Sequence, residues 1–256
     1  GNFPNHHPDP AQPENLVDLI NTLKSGAAEL GLAFDGDGDR LGVVTKDGEN
    51  IFADRQLMLL AKDVLSRNPG AEIIYDVKST RLLAPWIERH GGRATIWKTG
   101  HSLIKAKLKE SGALLAGEMS GHTFFKERWY GFDDALYAAV RLLATLARSG
   151  ESLAQIYDRL PKLMNTPELR FECAEDRKFE VIEEARKRLA GRKGTVVHDI
   201  DGVRVETADG WWLLRASNTQ AALVARCESK TAQGLERLKE SLKAELAASG
   251  VAFPDF

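Results

Sequence analysis

The stretch LGLAFDGDGDRLGVV, residues 30–44, decides how this chain is read. Two apolar runs flank a loop in which Asp35, Asp37 and Asp39 alternate with glycine. Asp-Gly is an ordinary hairpin-turn dipeptide, and one copy would satisfy a turn. Two in series followed by a further aspartate exceed that need. Gly36 and Gly38 free the backbone to bring the carboxylates together, and their mutual repulsion then calls for a cation. Oxygen-only donors select a hard ion such as Mg²⁺ or Ca²⁺. An EF-hand is excluded, because its sixth position wants glycine and holds Arg40, and its twelfth wants glutamate and holds Lys46. Arg40 beside such a site points to an anionic ligand, phosphate foremost; the plainer reading is a surface arginine that balances the aspartates.

Outward from this loop the pattern is α/β. Apolar spacing predicts a helix over 14–24, strands over 31–34 and 41–45, and a helix over 55–66 with Asp54 as its cap. EIIYDV, RATIW and ALLAGE then read as strands separated by two helices, TRLLAPWIERH with Pro85 disturbing its middle and SLIKAKLKES. That alternation argues a largely parallel sheet. Asp133 and Asp134 are suited to cap an amphipathic helix over 135–148. Past Pro161 the pattern changes to short strands with helices over 176–189 and 232–248, an α+β arrangement with a mostly antiparallel sheet. Trp211 and Trp212 fit a buried strand better than a ligand platform.

Two further loops carry polar chemistry. In GEMSGH, Glu118 and Ser120 alternate, so extended backbone would turn both to one side, where a carboxylate and a hydroxyl suit vicinal sugar hydroxyls. Upstream, KTGHS sets Lys98, Gly100, His101 and Ser102 at a strand-to-helix turn, and histidine is the residue type suited to move a proton, which makes His101 and His122 candidates. In RASNT, Arg215, Ser217, Asn218 and Thr219 offer a fork of donors and short hydroxyl and amide donors that suit a phosphate dianion. A substrate with both hydroxyls and phosphate, held between domains, accounts for all of these loops.

Composition sets the frame. The chain has 256 residues, 43% apolar and 28% charged, with 35 basic and 37 acidic side chains and a net charge of −2. That balance argues against a general nucleic-acid binder. No apolar run reaches the roughly 18 residues that span a bilayer, and no secretory pattern is present, so the chain reads as cytoplasmic. Cys173 and Cys227 lie far apart and read as buried reduced thiols. The opening GNFPNHHPDPAQPEN, rich in proline and without methionine, reads as an extended loop in a fragment of a longer protein, with His6 and His7 solvated.

These motifs, with DVKST, FFKERW and FDDALYAA in the same order, resemble the α-D-phosphohexomutases, and closely the bacterial phosphomannomutase/phosphoglucomutases. The resemblance implies the end of the family's second domain over 1–49, its sugar-binding α/β domain over 50–161 and its phosphate-binding α+β domain over 162–256. It implies interconversion of hexose 1-phosphate and 6-phosphate, of glucose, mannose or both, through a hexose 1,6-bisphosphate intermediate. Asp35, Asp37 and Asp39 would bind Mg²⁺, Arg40 would steady phosphoryl oxygens, and Glu118 and Ser120 would hold the sugar's 3- and 4-hydroxyls. Arg215, Ser217, Asn218 and Thr219 would grip the unreacting phosphate. Lys78, His101 and His122 correspond to basic active-site residues, with His122 a proton-transfer group. The family's phosphoryl-carrying serine, in a Ser-His-Asn context, does not occur in these 256 residues, so the missing N-terminal part is an expected partner and the chain alone is expected to be inactive. Ala221 stands where the family usually has proline. Two other readings compete: a haloacid-dehalogenase-type Mg²⁺ phosphatase and a non-catalytic sugar-phosphate binding module.

Overall fold

The computed structural model describes residues 1–253. It divides into two compact units, one ending at Pro161 and the other beginning at Lys162.

In the first unit a short 3₁₀ turn, Pro13–Leu16, leads into α1, Val17–Ser25, so the helix expected over 14–24 is split in two. Strands β1, Leu30–Phe34, and β2, Leu41–Thr45, pair antiparallel with Phe34 opposite Leu41, and β3, Asn50–Ile51, adds to the far side of β2. The aspartate loop is therefore both the hairpin connection and a place where carboxylates meet. Helix α2, Ala53–Arg67, follows. Its N-cap is Phe52, so Asp54 lies inside the helix. The Asp54 carboxylate instead accepts the distant Thr80 N–H at 3.0 Å, because at 1% exposure it must find a partner within the protein.

A second sheet in this unit has the order β5-β4-β6-β7. Strands β4, Glu72–Asp76, β5, Arg93–Trp97, and β6, Leu115–Gly117, are parallel, and β7, Thr123–Phe125, returns antiparallel. Helix α3, Leu83–Arg89, links β4 to β5, and α4, His101–Ser111, links β5 to β6. Since α3 begins at Leu83, Pro85 falls in its first turn, where a missing N–H costs nothing, and not in its middle. Central β4 has its sequence successors on opposite sides, which makes its carboxyl end the switch point where open α/β sheets bind ligands. Helix α5, Ala135–Ser149, is capped by Asp134, whose carboxylate accepts the Tyr137 N–H at 2.8 Å, and α6, Leu153–Asp158, starts from a Ser152–Gln155 capping box. Asp133 is no cap. The core lies where Leu57, Met58, Leu60, Ala61 and Val64 of α2 meet Ile73, Leu115, Phe125 and Leu142, all essentially dry.

The second unit is one antiparallel sheet with helices on it. Its strands are β8, Met164–Asn165, β9, Leu169–Glu172, β10, Val196–His198, β11, Val203–Glu206, β12, Gly210–Ala216, and β13, Ala222–Ser229. The order is β10-β11-β12-β13-β8, with β9 also on β13. Helices α7, Arg177–Leu189, and α8, Ala232–Ala248, bury Val181, Leu189, Leu238, Leu242 and Leu246 with Trp212 and Leu214. Both tryptophans are inside the strand, their indole N–H groups donating to Glu228 at 2.9 Å and Ser241 at 3.2 Å. Cys227 is buried, but Cys173 is only partly so. Among the described residues no helix is long and apolar enough to cross a membrane.

Candidate active site

The aspartate loop is built around Asp35. One carboxylate oxygen accepts the N–H groups of Gly38, Asp39 and Arg40 at 3.0–3.1 Å, and the other accepts Arg40 Nε at 2.7 Å. Burial pushes this carboxyl up, yet the Arg40 side-chain and backbone hydrogen bonds outweigh it and hold it at about 2. Gly38 is needed for its φ of +78°, whereas at Gly36 a Cβ would crowd the exposed ring of Phe3 at 3.1 Å. The opening proline-rich segment is thus not free. It lies on the loop, and Asp9 pairs with Arg40 Nη1 at 3.0 Å while His6 and His7 stay exposed.

One carboxylate oxygen from each of Asp35, Asp37 and Asp39 comes within 4.8 Å of the others. Asp39 is raised from its ordinary value, first by burial and then by the charges of Asp35 and Asp37, against the pull of His122. Asp35 Oδ2 takes a single hydrogen bond among the described residues and keeps a lone pair. Three converging oxygens, one strained toward protonation by its neighbours, fit a hard divalent cation.

The turn after β6 meets this loop through the Arg40–His122 bridge, and the carboxyl ends of β4 and β5 border that turn at Glu118. β4 ends at Asp76, and buried Lys78 follows it. Asp76 is fully buried and pushed up to about 6 by desolvation, with Lys78 opposing and Glu118 adding to the rise. After β5, Gly100 caps α4 with φ +132°, and His101 is the first helical residue, half exposed beside Lys105. After β6, GEMSGH is a tight turn and not extended backbone: Glu118 N–H donates to His122 O at 2.9 Å, Gly121 N–H donates to Glu118 O at 3.1 Å, and Gly121 has φ +109°. The shared orientation expected of Glu118 and Ser120 from strand alternation is therefore wrong in its reason. What aligns them is His122, whose Nδ1 lies 2.8 Å from Ser120 Oγ and 3.2 Å from Glu118 Oε2. Glu118 Oε1 accepts Gly100 N–H at 2.6 Å, so this helix N-terminus is already occupied by a carboxylate. Burial pulls His122 down, but Glu118, Asp39 and Asp133 together leave it raised above an ordinary histidine.

In the second unit, RASNT joins β12 to β13. Arg215 Nε donates to Asp201 Oδ2 at 3.0 Å, while Arg215 Nη2 is buried with no hydrogen-bond partner among the described residues. Gly202, at φ +76°, lies against it, since a Cβ there would stand 2.6 Å from Arg215 Cβ. Ser217 Oγ accepts the N–H groups of Thr219 and Gln220 at 3.4 and 3.2 Å, and Asn218 and Thr219 are exposed. Lys178 ties the loop from beneath, donating to the carbonyls of Ser217 and Gln220 at 2.8 and 3.0 Å. Ala221 leaves no slack chain, because Cys173 N–H bonds its carbonyl at 3.1 Å.

The first unit thus brings together Asp35, Asp37, Asp39, Arg40, Glu118, Ser120 and His122, with His101 stacked on His122 at 5.5 Å between ring centroids. Sequence reasoning missed Asp9, Asp133, Asp201 and Lys178. Asp133 binds Lys105 at 2.8 Å and faces both histidines, and its neighbour Asp134 had masked it as a second cap candidate.

Residues 1–48, 52–164 and 168–245 match the family models described as phosphoglucomutase/phosphomannomutase alpha/beta/alpha domain II, alpha/beta/alpha domain III and C-terminal domain. The chain belongs to the phosphoglucomutase/phosphomannomutase family. Over 250 residues it is 58% identical to a phosphoglucomutase of Neisseria gonorrhoeae, covering 97% of this chain and 54% of that protein. Over 246 residues it is 56% identical to a phosphomannomutase/phosphoglucomutase of Pseudomonas putida, covering 96% and 53%. A crystal structure of a family protein from Burkholderia thailandensis aligns with a TM-score of 0.91 at 54% identity, covering 99% of this chain and 54% of that one. The chain spans about half the length of the curated relatives it matches. Membership of this family sets aside the haloacid-dehalogenase reading.

Proposed function

We propose that these residues are the metal, sugar and phosphate subsites of a phosphohexomutase, which interconverts hexose 1-phosphate and hexose 6-phosphate through a hexose 1,6-bisphosphate. The observation that carries this reading is the meeting of three carboxylates, a fixed arginine and a raised histidine on one loop cluster. Asp35, Asp37 and Asp39 would hold Mg²⁺, which when bound offsets charge on a transferring phosphoryl group. Arg40, anchored through Nε and Nη1, is left with Nη2 for a phosphoryl oxygen. His122, raised and oriented by Glu118, is suited to give a proton to a sugar oxygen and take it back. Lys78 and His101 are the further basic side chains that would lie near the reacting phosphate. Glu118 retains lone pairs for sugar hydroxyls beyond its bond to Gly100, and Ser120 supplies a second hydroxyl partner. Arg215 Nη2, Ser217, Asn218 and Thr219 grip the phosphate that does not react, and the buried unpaired Nη2 is the donor such an anion would satisfy.

Transfer also needs a phosphoryl-carrying group, and residues 1–256 hold no Ser-His-Asn sequence. These residues therefore bind hexose phosphate but do not turn it over alone. Free Cys173 and Cys227 accord with a reducing, cytoplasmic setting.

Calorimetric titration of glucose 1-phosphate with Mg²⁺ into the chain and into Arg215→Ala tests the reading. The expected Kd is roughly 10 µM to 1 mM, weakened about tenfold or more in the variant by loss of charged hydrogen bonds. Equal affinity in both proteins would remove RASNT as the phosphate subsite and the mutase reading with it.

A further inference from the structure

Beside the aspartate loop, Asp39, His122 and Asp133 face one another with one donor atom of each within 4.8 Å of the others. His122 Nε2 is 3.3 Å from Asp39 Oδ1 and 4.0 Å from Asp133 Oδ2. Ligands on a zinc-sized ion, at about 2.0–2.1 Å from it in tetrahedral geometry, are separated by about 3.3 Å, so these atoms need little movement to enclose one. The other ring nitrogen, Nδ1, lies between Ser120 Oγ at 2.8 Å and the Glu118 carboxylate at 3.2 Å. That carboxylate–imidazole pairing is what fixes the tautomer of a metal-binding histidine and aims its second nitrogen at the ion.

An independent observation comes from Asp133. Its side chain is 6% exposed, and Oδ2 accepts no hydrogen bond from any described residue, although Oδ1 is held by Lys105 at 2.8 Å. His101 Nδ1 stands 3.3 Å from that oxygen on the other side. A buried carboxylate oxygen left without a hydrogen bond costs free energy unless something further is bound.

We propose that Asp39, His122 and Asp133 form a second cation site, selective for a borderline transition ion such as Zn²⁺, Co²⁺ or Ni²⁺. One imidazole and two carboxylates favour such ions over Mg²⁺, which prefers an all-oxygen octahedral shell. Asp39 is common to both sites, so occupation of the second withdraws a ligand from the first and also engages His122. A transition ion bound here displaces the hard ion from the aspartate loop. The inference stands on the metal geometry of the first unit and does not require the mutase reading.

Zn²⁺ titration against a chromophoric chelator, at saturating Mg²⁺, tests it on the chain carrying His6→Ala/His7→Ala to remove the exposed histidine pair. Asp133→Asn and His122→Gln are each expected to weaken Zn²⁺ at least tenfold, and Asp37→Asn, which removes a ligand of the competing Mg²⁺ site only, to leave it as tight or to tighten it. Loss of Zn²⁺ binding in Asp37→Asn, or unchanged binding in Asp133→Asn and His122→Gln, overturns the proposal. Should either site variant fail to fold, zinc-edge X-ray absorption on the His6→Ala/His7→Ala protein decides: imidazole scattering is expected, and an all-oxygen shell overturns it.

Discussion

Arg40 and His122 pair as an isolated antiparallel bridge, with Leu41 N–H donating to Gly121 O at 3.2 Å. This bridge is what brings the aspartate loop and the histidine turn to one place. It depends on Gly121, whose φ is +109° and where a Cβ would lie 3.3 Å from Arg40 Cβ and from the backbone of Leu41.

Gly121→Ala is therefore expected to destabilise the first unit by about 1–3 kcal/mol, the cost of a side chain in a glycine-only conformation. It should also weaken Mg²⁺ binding, because Asp39 and His122 separate. Urea unfolding and a Mg²⁺ titration read the two effects. Wild-type values for both would mean that the bridge does not organise the site.

Asp35 sets an acid limit. Its folded pKa is lowered to about 2 from the usual 3.8, so its contribution to stability is present above 3.8 and is lost as pH falls from there toward 2. Allowing for solvent around the loop, the loss is about 1–2 kcal/mol. Asp35→Asn should lower stability at pH 7 by a similar amount and flatten this part of the pH profile. An unchanged slope between pH 4 and 2 in the variant would assign the acid loss to other carboxylates.

Much of this was legible in the sequence, and for physical reasons. The parallel strands, the antiparallel second unit and α5 follow from apolar periodicity, which is local. Misreadings came where a long-range contact overrode a local rule. Asp54 looks like a cap but is captured by Thr80 N–H, and Glu118 and Ser120 look like alternating strand residues but sit in a turn closed by His122. Asp9 and Lys178 could not be found this way, because nothing near them in sequence announces Arg40 or the Ser217 carbonyl.

Lys178 supports the RASNT loop. At 1% exposure it spends its ammonium on the Ser217 and Gln220 carbonyls and on Glu175 at 2.6 Å. Lys178→Ala takes the ammonium from the Ser217 carbonyl, while the Gln220 carbonyl keeps the Ala222 N–H at 2.8 Å, and is expected to cost about 1–3 kcal/mol. Glucose 1-phosphate affinity should fall as well, since the Ser217 carbonyl loses its anchor to α7. The more conservative Lys178→Arg separates the effects: partial recovery of stability without recovery of affinity would show that loop position, not folding, limits binding.

Asp37 gives the sharpest test of the metal reading, because it is exposed and accepts no hydrogen bond from the described residues. Its negative charge contributes to the raised pKa of Asp39. Removing it therefore relieves repulsion in the metal-free protein, and Asp37→Asn in chelator should be as stable as the unaltered chain or more so, within about 0.5 kcal/mol. With Mg²⁺ the order reverses. A cation bound by all three aspartates stabilises the folded chain by about 2.7 kcal/mol at a hundredfold excess over Kd, and the variant loses most of that gain. Thermal unfolding in chelator and in Mg²⁺, for both proteins, makes the comparison. If Mg²⁺ stabilises both equally, the ion is held without Asp37. If it stabilises neither, the carboxylates converge for some purpose other than binding a hard ion.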